Sequence, residues 1–244
     1  MKVSIRGIVA ALLVVVVAAT CVRLGFWQLH RLEQRRARNA AIRSASALPV
    51  LVLSPDSVAA VAASPSRYLN RRVRVAGTYD PPREVVLRGR AQEGSPGVHL
   101  VTPLLVAGSG AAVLVNRGWA PSPDGATVDR RPYAETGAHT VFGLLQEVPL
   151  TTDRGQPIAM PNGRDTTYRR LDLTVVRARS PYPVLPLYVQ QLPDSPASGP
   201  PYRVPSPELT EGPHLSYAIQ WFSFAAIAVI GFLVAVLRGR RRSA

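Results

Sequence analysis

Two long apolar runs stand near the ends of this chain, and the stretch between them alternates in short segments. The second run, His214 to Leu237, reads HLSYAIQWFSFAAIAVIGFLVAVL and holds no Asp, Glu, Lys or Arg. Arg238, Arg240, Arg241 and Arg242 stop it. At about 1.5 Å per residue it makes roughly 36 Å of helix, enough for a hydrocarbon core of about 30 Å. The pattern predicts a transmembrane helix over 214–237. The first run, Ile8 to Val22, lies between Arg6 and Arg23 and is short for a span. A signal peptide has the same outline, but no A-x-A site follows. If Arg23 snorkels, the helix continues through Leu24, Phe26, Trp27 and Leu29 to a sufficient length. The expectation is therefore an uncleaved transmembrane helix over 8–29, after a short N-terminus at 1–7.

Between the runs the period changes. Residues 30–66 read as a juxtamembrane segment and linker, Ala/Ser/Pro-rich from 39 and weakly patterned apart from an apolar run at Val50–Leu53. From Tyr68 onward, strand-length segments are punctuated by Gly and Pro. The candidates are Val73–Tyr79, Glu84–Arg88, Val98–Leu105, Ala112–Asn116, Thr140–Glu147, Leu171–Val176 and Leu187–Gln190. The interval Pro149–Asp165 reads as a polar loop, and 192–213 as a Pro-rich extended connector. The fold class predicted is an α+β membrane protein. Its N- and C-terminal transmembrane helices flank a mainly antiparallel, partly closed β domain over 67–191, with a basic tail at 238–244.

Charge changes this picture only in where it falls. The 244 residues carry a formal charge of +14. Residues 1–38 and 238–242 hold eleven Lys/Arg against Glu33 alone, whereas 39–213 hold eighteen Arg against fourteen Asp/Glu. A nucleic-acid binder concentrates its charge on the folded domain. Here the charge flanks apolar runs, where it orients helices and meets anionic headgroups, so nucleic acid is excluded and the lipid bilayer is the expected partner. The arginines after Leu237 place the C-terminus in the cytoplasm. Two spans then bring the N-terminus there and put the middle on the outer side. The lone Cys21 rules out an intrachain disulfide or a cysteine-based zinc site. No H-E-x-x-H, G-x-S-x-G or phosphate-binding loop occurs, and the expectation is a protein that is not an enzyme.

Candidate chemistry gathers at the helix ends. At about 100° per residue, His214, Tyr217, Ala218 and Trp221 share one helical face, with Phe224 close to it. Polar side chains in or near a membrane face a partner or a pathway, although interfacial aromatics and a solvated histidine would look the same. On the first helix Arg23, Trp27, His30, Arg31 and Gln34 fall near one face, a pattern a headgroup-binding collar shares. His99 and His139 in the middle have no metal-ligand spacing and read as structural.

Five strings, LGFWQLHRL (24–32), YLNRRVRVAGTYDP (68–81), HLVTPL (99–104), VLVNRGWAP (113–121) and PHLSYAIQWFSFA (213–225), occur in this order between the two spans. Together they resemble the Surfeit locus protein 1 family, whose members assist assembly of haem–copper cytochrome c oxidase. The first-helix motif is met by Leu24, Gly25, Trp27, Gln28 and Arg31. The central element is met by Asn116, Arg117, Gly118 and Trp119, as a structural or partner-binding motif. The second-helix pattern is met by His214, Tyr217, Ala218 and Trp221. Gly212 and Pro213 stand where many members carry Asn. The resemblance implies that His214 is an axial ligand to the iron of haem a. Trp27, Arg31, Tyr217 and Trp221 are expected to line the cofactor site, and charge alone nominates Arg23, Arg31 or Arg117 for the propionates. It implies cytochrome c oxidase subunit I, and second to it haem a synthase, as partners. A scaffold that grips oxidase subunits without haem is the alternative. A first span within ten residues of Met1 leaves no room for a transit peptide, and Lys2 is the sole lysine. Both features lead to the expectation of a bacterial plasma membrane.

Overall fold

The computed structural model describes residues 5–148, 158–159, 166–193, 199–206 and 208–242. They belong to two compact units, Met1–Ala41 with Glu208–Ala244, and Ile42–Pro207.

The first unit is a helix pair. Helix α1 spans Ile5–Ala47 and helix α4 spans His214–Arg242. Both are long and apolar enough to cross a bilayer. The first helix thus runs well past Leu29, where the sequence pattern placed its end. Residues 30–47 are rich in Arg and Ala and contain no Gly or Pro, so nothing breaks the helix before Pro49. The two helices meet along small residues. Cys21 and Gly25 are buried on α1, and Ala218 and Ala225 on α4. Phe26 meets Phe222 edge to face at 5.4 Å. A Cβ on Gly25 would lie 2.6 Å from the Phe222 ring, so glycine sets how closely the helices approach.

The second unit is built on a sheet of nine strands. These are β1 (Leu51–Leu53), β2 (Arg72–Tyr79), β3 (Val85–Gln92), β4 (Ser95–Val106), β5 (Ala112–Pro121), β6 (Ala138–Glu147), β7 (Ile158–Ala159), β8 (Thr166–Tyr168) and β9 (Val184–Gln191). They lie in the order β1-β2-β6-β9-β5-β4-β3-β8-β7, and a further β2–β4 pairing closes β2, β6, β9, β5 and β4 into a ring. Strand β2 divides one edge between two neighbours. Val73–Val75 pair with β1, and Gly77–Tyr79 pair with β4. Most pairings are antiparallel, whereas β1–β2, β3–β8 and β5–β9 are parallel. A two-residue turn through Glu93 and Gly94, both at positive φ, links β3 to β4.

Alternation decides what fills the ring. Val73 and Val75 of β2, Val113 and Val115 of β5, and Val189 of β9 form one core, with Val58 and Val61 of helix α2 (Pro55–Ala63) packed into it. Helix α2 sits within the predicted linker. Ser54 caps it in a capping box with Ser57, and Pro55 follows at its first turn. The opposite face of β5 presents Leu114 to a second core with Leu171, Leu173 and Val176. Those residues belong to helix α3 (Leu173–Arg179) and its lead-in, so the expected strand Leu171–Val176 is a correction. Asp172 accepts hydrogen bonds from the Thr174 and Val175 amides, and this N-cap outweighs the β-branched run. Of the polar loop expected at 149–165, only β7 lies within the described residues.

Ring closure depends on one glycine. A Cβ at Gly77 would sit 2.2 Å from the Leu105 carbonyl oxygen, a backbone atom with nowhere to move. Gly77→Ala is expected to cost the β domain about 1–3 kcal/mol. Denaturant unfolding checks this against Gly94→Ala, where a Cβ meets open space and only the turn's positive φ is strained.

Candidate functional site

In the helix pair, His214 is half-buried at the start of α4, and its Nδ1 donates to Gln28 Oε1 on α1 at 2.9 Å. This contact follows from how the pair is registered. Arg36 grips Glu211 with two bonds of 2.9 and 2.8 Å, and Arg35 and Asn39 both donate to the Thr210 carbonyl. The chain entering α4 is thereby fastened to α1 about two turns beyond Gln28. In a neutral ring, a hydrogen bond from Nδ1 fixes the tautomer and puts the lone pair on Nε2. Gly212, at φ +70°, passes close to that nitrogen. A Cβ there would lie 3.6 Å from Nε2.

The other expected residues of this region are distributed around the pair. Trp27 is 52% exposed with the Arg31 guanidinium 5.8 Å above its ring, and Tyr217 is 47% exposed. Trp221 is half-buried and meets Phe224 edge to face at 5.9 Å. Ala218, which shares the helical face with His214, is spent in the helix seam at 1% exposure. The geometry therefore joins His214 to Gln28 and Arg31 to Trp27, and among the described residues no ring contact ties Tyr217 to either. Gln28, read from the sequence as part of a structural motif, is the residue that touches the histidine.

The Asn116–Trp119 string occupies β5, where the pairing with β4 slips by one residue. Asn116 faces Val101 and Gly118 faces Leu100, so Arg117 is the extra residue of a β-bulge. Turned out of the ladder, the Arg117 side chain is buried. It binds Glu84 and Glu135 at 2.8 Å each, donates to the Tyr133 carbonyl and lies over the Tyr79 ring. Arg203 also holds Glu135. Burial pushes the Glu135 carboxyl up, but Arg117 and Arg203 overcome it and hold the group below its ordinary range. Arg117 is thus fully engaged inside the domain, which removes it as a candidate for pairing propionates.

Its neighbours each have a local task. Gly118, at φ +118°, leaves room for the Tyr202 carbonyl, which a Cβ would approach to 2.1 Å. The Trp119 backbone exchanges two hydrogen bonds with Tyr202, and the two rings stack at 6.0 Å. Asn116 donates to Gln190 Oε1 at 2.9 Å and contacts His99 Nδ1 at 3.2 Å. Burial, and then the charge of Arg90, push His99 down to about 4, so its ring is neutral at pH 7. A cavity of about 590 Å³ opens over these three side chains. Glu84, Glu135, Gln190 and Arg90 carried no signal in the sequence, because their partners lie 18 to 79 residues away.

Comparison with known proteins supplies a second line of observation. The family model described as "SURF1 family" matches residues 15–226. An uncharacterized SURF1-like protein of Mycobacterium bovis is 31% identical over 95% of this chain and 86% of its own length. A SURF1-like protein of Monosiga brevicollis is 26% identical, over 90% of this chain and 85% of its own. Surfeit locus protein 1 of Rattus norvegicus is 24% identical over 86% of this chain and 70% of its own.

Proposed function

Because this chain belongs to the SURF1 family, we propose that it assists the assembly of haem–copper cytochrome c oxidase by holding haem a for insertion. Members of the family are known generally as cytochrome oxidase assembly factors. The observation that carries the haem reading is the His214–Gln28 hydrogen bond. It orients the imidazole, and Gly212 beside Nε2 adds no side chain there. A neutral imidazole so fixed is an ordinary donor to haem iron. Around it, the exposed faces of Trp27 and Tyr217 and the half-buried Trp221 suit a flat porphyrin, and Arg31 suits an anionic propionate. The protein's own work is to bind, orient and release, and oxidase subunit I and haem a synthase are the partners this role requires. No covalent step is needed.

The test is the absorption spectrum of the detergent-purified protein from cells that make haem a. The expected result is co-purified haem a with a histidine-ligated spectrum. Protein that brings down subunit I but carries no haem would establish a scaffold role in its place.

The same reading places both ends of the chain in the cytoplasm of a bacterial cell and the β domain outside it, with α1 and α4 spanning the plasma membrane. The support is two apolar helices with arginines after Leu237. Alkaline phosphatase fused between Pro149 and Asp165 is expected to be active, and a fusion at Ala244 inactive. The reverse pattern would invert the topology.

A further inference from the structure

The cavity over Asn116 in the β domain is separate in composition from the helix-pair site, and its charge is one-sided. Arg90 on β3 and Arg169 and Arg170 after β8 line it, and among the described residues no Asp or Glu does. Among the described residues none of the three guanidinium groups has a carboxylate partner. Arg90 donates one bond, to the Arg169 carbonyl, and its Nε is buried without an acceptor. Burial lowers the Arg90 pKa, Tyr188 opposes that, and Arg170 and Arg169 lower it further. A larger cavity of about 970 Å³ in the same unit differs in this respect. Its Arg117 is bound by Glu84 and its Arg131 by Asp129.

The floor of the smaller cavity is polar and neutral. Asn116 uses its amide nitrogen on both His99 and Gln190, and the burial of His99 keeps the ring uncharged. Gln190 accepts the Asn116 amide through Oε1. Leu87, Val101 and Leu171 supply an apolar wall. The volume of about 590 Å³ is in the usual range for organic ligands and far exceeds what an inorganic anion fills.

We propose that this cavity, between β3, β5, β9 and the segment after β8, is a binding site for an organic polycarboxylate. The carboxylates take the forks of Arg90, Arg169 and Arg170, and the carbon skeleton lies on Leu87, Val101 and Leu171. Guanidinium groups pair carboxylates in a planar two-bond geometry, so selectivity for this class over a compact cation or neutral molecule follows directly.

Isothermal titration calorimetry on the full-length protein in detergent tests this with propane-1,2,3-tricarboxylate, its trimethyl ester and inorganic phosphate as probes. The tricarboxylate is expected to bind one per chain and to weaken with added salt, and the ester not to bind. Arg90→Gln, and separately the double variant Arg169→Gln/Arg170→Gln, are expected to weaken it by about tenfold or more. Arg169 and Arg170 are exposed, so the double variant keeps the test valid should Arg90→Gln disturb folding. Equal binding by wild type and the double variant, equal binding of ester and acid, or phosphate bound as tightly as the tricarboxylate would each overturn the assignment. The haem reading is untouched by any of these outcomes, since no residue tested here belongs to the helix pair.

Discussion

His214→Ala is expected to strip most of the bound haem a from the purified protein while leaving its level and membrane insertion unchanged. His214 is half-buried and makes a single side-chain hydrogen bond, so little of the helix pair's packing depends on it. Cys21, Gly25, Ala218 and Ala225, which form the seam, are untouched. Losing an iron ligand should exceed the roughly 10- to 100-fold loss typical when only the partner of a ligand is removed. Gln28→Leu supplies that milder case. It keeps the imidazole and removes the acceptor that fixes its tautomer, so affinity is expected to fall within that 10- to 100-fold range. Tyr217→Phe should be milder again, because the ring stays and only a hydroxyl is lost. Reduced-minus-oxidised spectra of the three variants read out the series. Full haem at an unchanged absorption maximum in His214→Ala would remove the ligand assignment and leave the scaffold role.

Arg117→Met is expected to destabilise the β domain by about 3–5 kcal/mol. The guanidinium is buried with Glu84, and removing it leaves that carboxylate almost wholly out of water with no cation to face. Glu135 keeps Arg203, so the cost concentrates on Glu84. For a domain of this size the loss corresponds to roughly 6–20 °C in melting temperature. Adding Glu84→Gln to Arg117→Met should recover part of it, since the orphaned charge disappears. Arg36→Gln is the exposed comparison. Its pair with Glu211 is half in solvent and screened, so its loss is expected to leave the melting temperature nearly unchanged. Thermal unfolding followed by circular dichroism decides the matter, and a melting point for Arg117→Met within 2 °C of wild type would show that the bulge arginine is not a structural linchpin.

Both predictions rest on contacts that join distant residues, and that is where reading the chain alone succeeded least. The ends were legible because an apolar run of bilayer length needs no partner to be recognised. The strands at Val73–Tyr79 and Ala112–Asn116 were legible because alternation and β-branching are local properties. Helix α3 was misread as a strand: LDLTVV looks extended until Asp172 is seen capping Thr174 and Val175. The apolar pattern ends the first helix at Leu29, but Arg and Ala continue a helix well without being apolar, so it runs on to Ala47.

What the sequence determined by itself is therefore the layout: two apolar helices around a strand-rich middle, the family resemblance carried by its short motifs, and the nomination of His214. Hydrophobic period and motif spacing encode these within a few residues of each other. Tertiary structure alone decided which atoms meet. It put Gln28 on His214 across 186 residues of chain and closed β2 onto β4 through Gly77. It also turned Arg117 inward at a bulge and gathered Arg90, Arg169 and Arg170 around a cavity. Each of these depends on the register between separate elements. Register is set by the summed packing of whole faces, a long-range quantity that no local window of residues contains.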